Sequence, residues 1–167
     1  LYEEYFADLK NMGVPFLPYE TYGRSPLENS SFLVSSANFN EKIHGKGFVA
    51  RLSGSTAEFL QMWELMMNGE KLFTMQDGTL TFKLAPAIPA YLVKDDGKVE
   101  TMLFGKIKVV YDCGSKGDLI PGQYAVTKYE LVAADGSIES CEAATVSGEA
   151  AQRIRDGKAA EIRVTIQ

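Results

Sequence analysis

The sequence predicts an α+β chain, with a helical first part (residues 1–70) and an antiparallel, jelly-roll-like β-sandwich (residues 71–167). Three observations lead there. Before residue 70, apolar residues recur at helical spacing in two segments. After it, they alternate with polar residues in short runs. Asp-Gly pairs at 77–78, 96–97, 135–136 and 156–157 punctuate the second half, and the first three lie between alternating runs, where this dipeptide favours a tight hairpin.

In the first part, Leu1, Tyr2, Tyr5, Phe6, Leu9 and Met12 line one helical face, and Gly13 is a natural stop. Such a face needs something to pack on, so the chain is expected to be cut from a longer parent. From Tyr22 to Thr56 the sequence reads as one long polar connector, and long connectors inside compact domains are often functional. A second helix is expected from about Thr56 to Asn68. Phe59, Leu60, Met62, Trp63, Leu65, Met66 and Met67 wrap most of its circumference, which predicts burial. Ser55 and Glu58 have the spacing of a capping box, and Gly69 ends the helix.

Strands are expected where alternation is clean. Leu80, Phe82 and Leu84 oppose Thr81 and Lys83; Ile107, Val109 and Tyr111 oppose Lys106 and Lys108. Tyr129 and Leu131 oppose Lys128 and Glu130; Ile162, Val164 and Ile166 oppose Arg163 and Thr165. A short helix from Glu149 to Arg155, capped by Ser147, precedes the last strand.

Composition narrows the function classes. A net charge of −5 argues against a nucleic-acid surface and gives no reason to expect an anionic membrane. No apolar run approaches the ~20 residues needed to cross a bilayer. Cys113 and Cys141 are expected as free thiols, and with His44 as the lone histidine a zinc site is not expected. A cytoplasmic location is the expectation, although a fragment carries no targeting information.

One stretch could carry chemistry. Ser53, Gly54, Ser55 and Thr56 lead into the second helix, whose first N–H groups have no internal partner and sit at the positive end of the helix dipole. Gly54 permits close backbone approach, and Arg51, Lys46 and His44 upstream could add donors to a bound phosphate. The plainer alternative is that Ser55 only caps the helix and Arg51 only pairs with a carboxylate. Arg24 and Glu28 could grip sugar hydroxyls or pin the loop to itself. His44 is a ligand donor, a general acid or base, or a simple loop residue. No Ser-His-Asp or Cys-His arrangement has workable spacing, so no residue of this chain is assigned as catalytic.

The run from Asn29 to about Met67 resembles the closing part of the (α/α)6 barrel in inverting disaccharide phosphorylases of the cellobiose and chitobiose phosphorylase type. Their Gly-Arg-Gly-Gly stretch, followed by Trp-Tyr-Thr-Gly-Ser-Ala-Gly-Trp, corresponds to Gly45-Lys46-Gly47-Phe48 and then Arg51-Leu52-Ser53-Gly54-Ser55-Thr56-Ala57-Glu58. The resemblance implies a barrel end followed by a C-terminal jelly roll. It also implies inorganic phosphate as a substrate contacting Ser53 and Gly54, and a general acid far upstream, outside this chain. Leu52 and Glu58 stand where the family has aromatic residues, which points to a divergent branch performing phosphorolysis, hydrolysis or glycosyl transfer. The partners implied are the upstream catalytic barrel of the same polypeptide, carbohydrate and phosphate, with a homodimer possible. The alternative is a non-catalytic carbohydrate-binding or purely structural domain. Tyr91, Phe104, Tyr111, Tyr124 and Tyr129 are then the available aromatics, most of them at core-facing positions. A purely structural domain cut from a barrel would show an apolar patch on Tyr2, Phe6, Phe59 and Trp63.

Overall fold

The computed structural model describes residues 1–13, 18–22, 30–50, 53–114 and 117–167. The chain is mixed α+β and divides into two compact units, Leu1–Gln61 and Met62–Gln167.

In the first unit, α1 (Tyr2–Met12) buries Phe6 and Leu9 and ends at Gly13, whose N–H reaches the Leu9 carbonyl. Glu3 and Glu4 in the first turn and Lys10 in the last complement the helix dipole. A single turn, α2 (Tyr19–Tyr22), comes next. The stretch expected from sequence to be one connector contains a hairpin. Strand β1 (Ser30–Leu33) pairs antiparallel with β2 (Gly47–Ala50). Beyond β1 the ladder continues, with Val34 N–H donating to Lys46 O at 3.0 Å and Gly45 N–H to Val34 O at 2.8 Å. Gly45 has φ +74°, a conformation for which a residue without Cβ is suited.

Helix α3 spans Ser53–Asn68 and crosses the division between the units. It starts earlier than the capping pattern predicts, so Ser55 is its third residue and not its cap. Capping contributes only about 1 kcal/mol. Burial is also narrower than the apolar circumference predicts. Met66, Met67 and Asn68 are buried, whereas Leu60 and Leu65 are exposed and Phe59, Met62 and Trp63 are half-buried. An all-round apolar helix can bury only the faces for which neighbours exist. The predicted apolar edge also differs, since Phe6 is buried and Tyr2 is 40% exposed.

The second unit holds two sheets, an arrangement compatible with a β-sandwich. The smaller has the order β3 (Phe73–Gln76), β4 (Thr79–Phe82), β9 (Val146–Ser147), all antiparallel. Asp77 and Gly78 join β3 to β4 with φ +48° and +76°, the mirror-image turn that matches strand twist. The larger has the order β5 (Lys98–Leu103), β6 (Ile107–Asp112), β10 (Glu161–Ile166), β7 (Val126–Val132), β8 (Ile138–Cys141). It is mixed rather than purely antiparallel, because β10 runs parallel to β6 and antiparallel to β7. A strand returning from α4 (Gly148–Arg155) has filled the gap between two strands that a simple meander would have paired. Asp135-Gly136 makes the β7–β8 hairpin, but Asp96-Gly97 only turns the chain into β5, and Asp156-Gly157 ends α4.

Side chains on the larger sheet separate cleanly. Val99, Leu103, Ile107, Val109, Tyr111, Tyr129, Leu131, Ile162, Val164 and Ile166 are all buried. Fully burying one such side chain is worth about 1.5–3 kcal/mol. The two sheets meet where the Phe82 and Tyr129 rings approach edge-on, with centroids 6.1 Å apart. Helix α4 adds Ala150, Ala151 and Ile154 to this core. Ser147 is its N-cap by position, without a side-chain hydrogen bond. Thr81, expected on a polar face, is buried and exchanges a 2.7 Å hydrogen bond with Thr74, which satisfies its hydroxyl.

The opposite face of the larger sheet carries a network of charged residues, with the apolar Met102, Val110 and Val132 among them. Glu100 contacts Lys94 at 3.4 Å and Lys108 at 3.1 Å; Lys108 lies 4.0 Å from Glu161; Glu161 holds Arg163 at 2.6 Å. Arg163 lies 3.9 Å from Glu130, and Lys128 contacts Glu130 at 2.9 Å and Glu142 at 3.2 Å. Signs alternate across the strands, so the face is wet yet locally neutral. Such exposed pairs contribute little stability each.

Candidate functional site

The sequence-derived site centres on the start of α3. The backbone of Ser53, Gly54, Ser55 and Thr56 forms its first turn. In any α-helix the N–H groups of that turn lack intrahelical partners and carry the positive end of the dipole. In chain order that turn follows β2, which ends at Ala50. Arg51, Arg24 and Glu28 lie outside the described residues.

His44 and Lys46 are placed at the other end of β2. Four extended residues advance the chain about 13 Å, so β2 carries the backbone that far from its start at Gly47. His44 has a local task. Its Nε2 lies 2.7 Å from the Asn38 carbonyl, which can only accept, so Nε2 carries a proton and donates. The same loop is tied by the Asn40 N–H to Asn38 Oδ1 at 2.9 Å and the Lys42 N–H to Asn40 Oδ1 at 3.2 Å. His44 therefore pins the turn between β1 and β2, and of its ring nitrogens only Nδ1 remains for another contact. Of the expected set, the four helix-start residues share the first turn of α3, and His44 and Lys46 precede β2.

The far end of α3 shows the most developed polar arrangement among the described residues. A helix leaves its last four carbonyls without internal donors. The Met66 carbonyl accepts from Ala87 N–H at 2.7 Å, Met67 from the Tyr111 hydroxyl at 2.6 Å, and Asn68 from Ala85 N–H at 3.0 Å. Two further tyrosines hold the same 84–87 segment. The Tyr129 hydroxyl accepts from Leu84 N–H at 3.0 Å, and the Tyr124 hydroxyl donates to Pro86 O at 2.6 Å. Burial raises the Tyr111 hydroxyl well above its ordinary range. It also pushes Tyr129 up to about 12, against the opposing Leu84 N–H bond. Sequence reading placed Tyr111 and Tyr129 in the core, which is correct, but their hydroxyl partners lie more than forty residues away in the chain. No local pattern reports such a bond.

Other chemistry is sparse. Both cysteines are free; burial lifts the Cys113 thiol to about 11 and also raises Cys141, so neither is an activated nucleophile. Among the described residues no group of His, Cys, Asp or Glu side chains is arranged to hold a metal ion. No described helix is long and apolar enough to cross a membrane. Clefts of about 360 Å³ beside Ile138 and Arg153 and about 320 Å³ beside Lys83 and Tyr124 contain none of the candidate phosphate-binding residues; of the aromatics named for sugar binding, Tyr124 lines the second. Comparison with protein-family models, curated proteins and solved structures gave no significant match to this chain.

Proposed function

We propose that this chain is the C-terminal part of a carbohydrate-active enzyme resembling the disaccharide phosphorylases. Residues before 70 close a helical barrel, and the sheets after it form a jelly-roll domain that supports the barrel. The observation that supports the reading is that residues 53–56 form the first turn of α3, whose N–H groups lack partners within the helix. Backbone donors at a helix start suit a phosphate dianion. Ser53 retains the hydroxyl that the resemblance assigns to phosphate contact. Arg51 would add a planar, charged donor beside it.

On this reading, phosphate held at the α3 start attacks the anomeric carbon of a disaccharide. The bond from that carbon to the leaving sugar oxygen breaks, and an upstream carboxylic acid protonates that oxygen from the opposite face. This chain supplies part of the phosphate cradle and not the acid, so alone it turns over nothing. Its partners are the upstream barrel, carbohydrate and phosphate, with a homodimer compatible. Two free thiols are consistent with a cytoplasmic enzyme.

The test is disaccharide cleavage by the full-length parent, with and without inorganic phosphate. Wild type should require phosphate. Ser53→Ala and Arg51→Ala should each raise the phosphate KM by about tenfold or more, the loss expected for a hydrogen bond to a charged group. Cleavage that proceeds equally well without phosphate, and is unaltered by either substitution, would overturn the reading.

A further inference from the structure

We draw no further inference here: the strongest candidate, the apolar patch formed by Phe73 and Met75 on β3 and by Phe104 in the β5–β6 turn, carries none because nothing in the structure shows what covers it.

Discussion

Tyr111→Phe isolates a single bond at the end of α3. The substitution removes one oxygen and leaves the ring, so apolar burial and cavity volume barely change. What is lost is the 2.6 Å donation to the Met67 carbonyl. Tyr111 is fully buried and Met67 is 1% exposed, so water cannot readily take the donor's place. A net intramolecular hydrogen bond is worth about 0.5–1.5 kcal/mol, and stranding a buried polar partner costs about 1–3 kcal/mol. The second case applies, and about 2 kcal/mol of destabilisation is expected. Equilibrium urea unfolding monitored by far-UV circular dichroism reads it directly. With a slope near ~1.5 kcal/mol/M, the midpoint should fall by somewhat over ~1 M with the slope unchanged. Tyr111→Ala, which also opens a cavity, should cost about 3–5 kcal/mol. A Tyr111→Phe variant with an unmoved midpoint would show that the hydroxyl does not hold the helix end.

Three further outcomes concern the same region and its neighbours. Tyr129 has a folded pKa of about 12 against an ordinary value of 10.0, so the folded state keeps a proton that the unfolded chain releases. Stability is therefore full below pH ~10 and should fall by roughly 2–3 kcal/mol as pH rises to ~12, with Tyr111 acting in the same direction; alkaline titration of unfolding midpoints checks this, and a flat profile would contradict it. Among the described residues neither amide atom of buried Asn68 has a hydrogen-bond partner, so Asn68→Leu should raise stability by about 1 kcal/mol in the urea assay, and a loss of similar size would mean the amide is satisfied after all. A Cβ on Gly69 (φ +93°) would meet Ala85 N, O and Cβ at 3.0–3.1 Å, whereas one on Gly45 (φ +74°) would meet nothing within 4 Å; Gly69→Ala should cost about 3 kcal/mol or more and Gly45→Ala only about 1–2, and equal costs would refute the steric part of the reasoning.

Legibility from sequence tracked the range of the forces involved. Alternation along β6, β7 and β10 identified their buried faces because side-chain direction repeats every two residues and each strand has one wet face. The turn at Asp77-Gly78 was equally local, since both positions need positive φ. Asp96-Gly97 has the same dipeptide and makes no hairpin between strands, because what precedes it is a 3-10 turn at Ala90–Leu92. The parallel β6–β10 pair was not legible. Strand neighbours separated by about fifty residues are chosen by how the whole sheet closes, and no spacing signal encodes that choice.

The candidate site divides along the same line. The helix start at Ser53–Thr56 was visible because glycine and hydroxyl residues before an apolar helical run are a local signal, although the signal misplaced the first helical residue by three. The grouping of His44 and Lys46 with it rested on proximity in sequence, and β2 lies between them and the helix start along the chain. β2 was overlooked because it is short, with one β-branched residue, Val49, and glycines at Gly45 and Gly47 that read as loop. Once it is recognised, the same glycine-rich run changes meaning. Gly45 turns the chain into the hairpin, His44 pins the turn, and β2 separates both from the two residues that lead into α3. The proposed phosphate site is therefore tested first at the residues next to the helix start in the sequence, through Ser53→Ala and Arg51→Ala.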